Sequence, residues 1–481
     1  MSKRRPSTFE RLNRRERRQW ERRLYSPNPG LVIVNPNAAG IDVGNESHFV
    51  AVPPDRDENP VREFGSWTES LHRTCEWLLG CGIDTVVMQA TGVYWMALYD
   101  LLESRGLRVV LCNAQHTKNL PGRKSDVQEC QWLMKLHTYG LLPNSFRRPE
   151  AMRGIRTVWG LRGRHVEEAC KAVQHMQKAL TKMNLQLANV ISDISGVTGL
   201  AIIKAILQGE RDIYALADLR DRRVQASREE VARSLEGTWR DDLLFELQQG
   251  LDAYEFAQQQ MQRCDVQLQK YMEQLPSRPA LEPKPAEAPA DGKSTRKGRR
   301  KDPPAPRGNA PAWDVTSELK RVTGVDLTRI DGIKAMTAFT IVAELGTDLS
   351  AFPDEDHFSS WLGLTPNKRV TGGKVVGHDK RNVRNRVAAA LRMAASTLKE
   401  SKSWLGAFYR HKCRALPAHA SANKATAHYL AKLVYRMMTK GEDWVDRGAE
   451  QFQRRRDDLD LQALSKRAQA KGYALTPLAQ A

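Results

Sequence analysis

The sequence predicts a mixed α/β domain followed by an all-α remainder, and three observations carry that expectation. Short β-branched runs recur between residues 31 and 112; apolar residues then fall at three- and four-residue spacing from about 151 to 276; the pattern is again helical beyond a basic, Pro-rich stretch. The length of 481 residues is consistent with two to four domains and is ample for a buried core.

Composition narrows the partners. Lys and Arg number 75 against 56 Asp and Glu, a formal charge of +19, which at this length answers a polyanion, with nucleic acid first. No stretch of 18 uncharged apolar residues is present, so a helical membrane protein is excluded. The seven cysteines, at 75, 81, 112, 130, 170, 264 and 413, form no C-x-x-C pair and no metal-spaced set with histidine. They fit a reducing cytoplasm, and the basic N-terminus, without an apolar core or cleavage site, does not read as a secretory signal.

Along the chain, residues 1–30 form a basic arm, with ten Lys or Arg against three Glu between 1 and 26. Such a run is either a solvated arm or a phosphate binder. The strands expected next are LVIV (31–34), AGIDVG (39–44), HFVAV (48–52), VREF (61–64), TVVMQ (85–89) and LRVVLC (107–112), with helices between and after the later ones, all within a domain of residues 31–150. Residues 151–276 predict long helices in a coiled-coil arm, although a packed bundle shares the pattern. Residues 277–312 are a flexible basic linker. A mostly helical domain at 313–420 contains LTRIDGIKAMTAFTIVAELG, read as helix, glycine hairpin, helix, and a charged helical tail fills 421–481.

The first group of residues with chemistry to offer is acidic. Asp42 lies inside a strand between Gly40 and Gly44, a costly place for a carboxylate unless a cation meets it. Its expected neighbour across the sheet is Gln89, at the end of TVVMQ. Asp126 and Glu129 are three apart at the start of a helix that Ser125 can cap, so they share a face. Oxygen donors converging from strand and helix suit Mg²⁺ or Mn²⁺, and such ions assist phosphodiester chemistry. Singly, each acid also reads as a helix-dipole or hydrogen-bonding residue.

The second group is WLGLTPNKRVTGGKVVGHDKRNVRNR, 361–386. Thr371 is followed by Gly372 and Gly373 and stands among Lys368, Arg369, Lys374, Lys380, Arg381, Arg384 and Arg386. The glycines permit close approach of a backbone, the cations suit phosphate, and the hydroxyl is a candidate nucleophile. The plainer reading is a hairpin turn with a basic rim. Ser359 and Ser360 read as capping or packing residues, and His137 as a packed helix residue.

These segments, AGIDVG, VVMQATGVYW, GRKSDVQECQWLMKLHTYGLL, RIDGIKAMTAFTIVAELG and WLGLTPNKRVTGGKV, resemble the transposases of the insertion-sequence "one-ten" family, related to the Piv DNA invertase. The resemblance spans roughly residues 38–150 and 320–400. It implies a RuvC-like ribonuclease H fold with a D-E-D-D metal site, a C-terminal serine that attacks DNA, a structured guide RNA that pairs with donor and target DNA, and a homo-oligomer, dimer or tetramer, with composite sites. Carried over by position, the four acids fall on Asp42, Gln89, Asp126 and Glu129, and the serine on Thr371. Three of these depart from the family pattern: Gln89 loses a charge but keeps an oxygen, Glu129 lengthens the stem, and Thr371 adds a methyl group beside the hydroxyl. Intact motif spacing favours a working sub-lineage over a decayed copy.

The resulting expectation is a cytoplasmic, nucleoid-associated bacterial DNA recombinase using Mg²⁺ or Mn²⁺, acting on double-stranded element ends and target. Two other classes compete: a junction-resolving nuclease that needs only the acidic site and water, and a nucleic-acid-binding protein without catalysis.

Overall fold

The computed structural model describes residues 32–89, 92–112, 125–142, 150–279, 309–311, 313–379, 385–441 and 448–476. The arm 1–30 and most of the linker lie outside them. The chain divides into two compact units, residues 1–147 and 148–481.

The first unit is built on five strands: β1 (Ala38–Val43), β2 (Ser47–Ala51), β3 (Val61–Gly65), β4 (Thr85–Gln89) and β5 (Arg108–Cys112). Their order is β3-β2-β1-β4-β5. β1, β2 and β3 pair antiparallel, as short connections allow, whereas β4 and β5 run parallel to β1 because helices carry the chain back. Those helices are α1 (Thr68–Gly80) and α2 (Trp95–Ser104), and α3 (Asp126–Thr138) follows β5. Side-chain alternation gives the sheet two buried faces. Ala39, Ile41 and Val43 pack with Val86, Met88 and the apolar stripes of α1 and α2. On the opposite face Val87, Val110 and Cys112 pack against Leu133 of α3, and Ala51 against Cys130 and Met134.

Of the run LVIV, the described residues 32–34 are not a strand. Residues 32–34 are irregular, and Val32, Ile33 and Val34 stand exposed. Val34 and Asn35 instead donate their amides to the Thr138 carbonyl, so the segment is tied to the end of α3. His137 is a packed residue as expected, its ring 2.9 Å from the Thr85 hydroxyl, and burial drives its pKa down to about 4.

In the second unit α4 (Ala151–Lys182) and α8 (Asp241–Glu273) run antiparallel, with Gly154 against Tyr271 near one end and Lys182 paired to Glu246 near the other. Between them lie α5 (Val197–Leu207), α6 (Ile213–Asp218) and α7 (Arg228–Ser234), which close a core of Ile202, Ile206, Leu216 and Val231 over the tip of the pair. Midway, Arg162, 2% exposed, forms a forked bond to Asp265, at 2.6 and 3.1 Å, and also donates to the Asn309 carbonyl. Removing one member strands a buried charge. Asp265→Ala should therefore cost about 3–5 kcal/mol in urea unfolding, while the double change Arg162→Met with Asp265→Leu should cost far less.

The remaining helices are α9 (Val315–Thr323), α10 (Ala335–Leu345), α11 (Glu355–Trp361), α12 (Arg386–Ser396), α13 (Trp404–Ala415), α14 (His419–Lys440) and α15 (Ala449–Ala470). Phe339, Phe358, Leu391, Leu430 and Val434 are buried among them. The first helix expected in LTRIDG is only the single 3-10 turn Leu327–Arg329, since Gly332, at φ +87°, turns the chain before α10 starts. The boundary expected at 420/421 falls inside α14, whose buried face belongs to the helical core; the exposed charged helix is α15. No helix of the described residues is long and apolar enough to cross a membrane.

Candidate active site

The acidic cluster is assembled by one close contact. Gly40 and Asp42 lie two apart on β1 and so face the same side, the side covered by α3. A side chain at Gly40 would sit 2.3 Å from the Cys130 carbonyl oxygen and 2.4 Å from the Met134 amide nitrogen. The missing Cβ therefore lets α3 lie directly on the strand, which brings its first turn to Asp42. In the sequence Gly40 reads only as a residue flanking Asp42; the signal for its role is a glycine two positions before a strand carboxylate.

Ser125 caps α3 by accepting the Gln128 amide, so Asp126 and Glu129 start the helix where its N-terminus favours negative charge. The β1–β4 register runs to Ile41 opposite Met88, which sets Asp42 and Gln89 side by side one residue further on. Gln89 is buried and donates its amide to the Glu129 carboxylate. Asp42 is half-buried, and its pKa is pushed up to about 6, first by burial and then by the charges of Glu129 and Asp126. Among the described residues no cation is one of the groups that act on it. Cys112, opposite Gln89, and Cys130 stay thiols, pushed up to about 11 and about 12 by burial.

The structure thus brings Asp42, Gln89, Asp126 and Glu129 into one neighbourhood of oxygen donors with excess negative charge. Among the described residues no three His, Cys, Asp or Glu side chains lie close enough together to hold a metal ion as they stand. The donor chemistry nonetheless fits a hard divalent ion, which takes carboxylate and amide oxygens and would relieve the repulsion that, after burial, raises the pKa of Asp42.

Thr371 lies in the second unit, at the end of β6 (Asn367–Thr371), which pairs antiparallel with β7 (Lys374–Asp379). Gly372 and Gly373 make the two-residue turn with φ of +57° and +76°, a geometry that other residues adopt only under strain. The hairpin expectation is therefore met. Thr371 faces Lys374 across the turn, and both are exposed, as is Arg369. Lys380, Arg381 and Arg384 lie outside the described residues, and so does the side chain of Lys368. Arg386 is held differently from its expected place among phosphate-facing cations. It bonds the buried Glu344 of α10, which Arg156 of α4 also engages, so this carboxylate ties three helices together. Ser359 is buried and donates to the Glu355 carbonyl, a packing role as expected.

A family model described as a transposase, of the IS110 DEDD type, matches residues 39–185, a span that contains the sheet, α3 and α4. The chain is a transposase, an enzyme that cuts and rejoins DNA. A second model, for transposases of the IS116/IS110/IS902 family, matches residues 326–410, including the β6–β7 hairpin. The chain belongs to the IS110 family of insertion-sequence transposases. No curated protein matches it. A DEDD-type domain points to the use of a divalent metal, and a transposase binds DNA.

Proposed function

We propose that this transposase is a site-specific recombinase that mobilises its own element through a RuvC-like acidic site and a hydroxyl nucleophile supplied by Thr371. One observation carries the reading: a carboxylate on the central strand, Asp42, whose electrostatic partners among the described residues are two further carboxylates and no cation. Asp42, Asp126 and Glu129, with the Gln89 amide oxygen, would hold Mg²⁺ or Mn²⁺, which when bound polarises the scissile phosphate and offsets its charge.

Thr371 Oγ1 attacks phosphorus. A threonine–phosphate bond forms as the bond to the leaving deoxyribose oxygen breaks; the hydroxyl proton passes to solvent, and the leaving oxygen takes one up. The hydroxyl end of the strand to be joined then attacks the same phosphorus, which restores Thr371 and leaves continuous DNA. Arg369 and Lys374, with Lys368, Lys380, Arg381 and Arg384, neutralise the backbone, and Gly372 and Gly373 allow it to approach the hairpin. A structured guide RNA and assembly of copies through α4 and α8 as a coiled-coil arm complete the proposal.

The test is a denaturing gel of labelled element-end DNA incubated with the protein and Mg²⁺. A covalent protein–DNA adduct is expected, and cleavage without any adduct would move the chemistry to water and a resolving nuclease. Duplex affinity should also fall by about 10³-fold or more between roughly 50 and 200 mM salt, the response of a protein that neutralises several phosphates. A flat salt response in a filter-binding titration would contradict the backbone contacts.

A further inference from the structure

Built from none of the residues of the acidic site or the hairpin, a cleft in the second unit combines aromatic rings, cations and open volume. Trp404, Phe408, His411 and Lys412 share one face of α13, and Phe452, Arg455 and Arg456 of α15 stand opposite. A cavity of about 170 Å³ lies between the two helices. A second, of about 320 Å³, shares Trp404 and Arg455 with it and continues along α15 past Arg454 and Asp458.

The rings are fixed by one another. Trp404 and Phe408 stack with centroids 5.6 Å apart and planes 7° from parallel; Phe452 meets Trp404 edge-on at 5.1 Å, and Tyr429 of α14 backs both stacked rings. Phe452 is the buried side chain that docks α15, most of whose surface is open to solvent. Around the rings the charge is positive. Lys412 lies 5.2 Å from the Phe408 ring. Arg455 forms no ion pair among the described residues, and Arg456 bonds Asp460 while its Nε has no acceptor. His411 is held below the usual histidine range, by burial and then by Arg456, Lys412 and Arg414, so its ring is neutral at pH 7.

A plain helix–helix junction would fill this space with aliphatic side chains and has no need of unpaired arginine around it. Stacking surfaces flanked by cations are how proteins take up single-stranded nucleic acid, because every base has a flat apolar face and every phosphate a charge. We propose that the α13–α15 cleft binds one unpaired nucleotide of a single strand, with the base in the aromatic cavity and its flanking phosphates on Arg454, Arg455 and Lys412. The volume suits one base and not a duplex. This site is independent of Asp42 and Thr371, and strand breakage is not required for it.

The test uses the full chain and two short oligomers that carry 5-iodouracil, one ribose and one deoxyribose, photocrosslinked and mapped by peptide mass spectrometry. Crosslinks are expected in the peptides that contain Trp404, Phe408 or Phe452, and the better of the two oligomers identifies the natural strand. Arg455→Ala, on an exposed side chain, and Trp404→Leu should each weaken single-strand binding roughly tenfold and leave duplex binding unchanged. If Trp404→Leu fails to fold by circular dichroism, the Arg455 variant and the wild-type crosslink map decide. Crosslinks confined to other regions, unchanged affinity in Arg455→Ala, or competition by an abasic oligomer or by polyglutamate equal to that of the base-bearing strand would each overturn the proposal.

Discussion

Thr371→Val is expected to eliminate the recombination junction, with a fall on the order of 10⁴-fold or more, the scale on which loss of a covalent nucleophile acts. The substitution is chosen because valine has the shape of threonine and suits a strand, so β6, the glycine turn and the pairing with β7 should persist. What disappears is the hydroxyl. Thr371→Ser makes the converse change: it keeps the oxygen and removes the methyl group beside it, so junction formation should be retained or increased. The measurement is a cellular assay with the element's flanking non-coding DNA supplied, read by amplification across the new junction. Product from wild type and Thr371→Ser alone supports the nucleophile. Product from Thr371→Val as well would transfer the chemistry to water and the acidic site, and product from none of them would point to a binding protein without catalysis.

Asp42→Asn should move activity and stability in opposite directions. Junction formation should drop roughly 10³-fold, as expected when several kcal/mol of metal-assisted transition-state stabilisation is lost. The metal-free protein should meanwhile melt at a higher temperature, because the carboxylate that burial and Glu129 and Asp126 disfavour is replaced by a neutral amide. The pH dependence has a definite sign. The carboxyl is raised from 3.8 to about 6 in the folded protein, so between those values the native state holds more protons than the unfolded chain. Metal-free stability should therefore fall as pH rises through that window and level off above it. A divalent ion favours the ionised form, so the rise in melting temperature on adding Mg²⁺ should be present above about pH 6, fade below it, and vanish in Asp42→Asn. A melting temperature that is lower in the variant, or a Mg²⁺ response indifferent to Asp42, would remove this residue from the site.

Much of the architecture was legible because periodicity is a local property. Short β-branched runs gave the five strands from Ala38 to Cys112, and three- and four-residue spacing gave the long helices α4 and α8. Gly372-Gly373 between two strand-like runs announced the hairpin, and Ser125 announced the start of α3. The errors share a cause. LVIV has a strand's composition, but its exposed segment 32–34 is bonded to the end of α3 instead, and LTRIDG was cut to one turn by the bend at Gly332. Composition reports what a segment tolerates, whereas pairing and burial depend on what stands beside it.

The same division runs through the site. Residue types and order along the chain were enough to nominate Asp42, Gln89, Asp126, Glu129 and Thr371, and the excess of cations to nominate a polyanion as partner. The chain alone did not say that Gly40 admits α3 onto β1, that Gln89 spends its amide on Glu129, that Arg386 serves Glu344, or that Trp404 and Phe452, 48 positions apart, frame one cavity. Each of these is a contact between residues distant in sequence, whose strength depends on burial and separation. Charge and hydroxyl chemistry belong to single residues and can be read one at a time; a pKa, a packed ring or an ion pair belongs to a neighbourhood, and folding creates the neighbourhood.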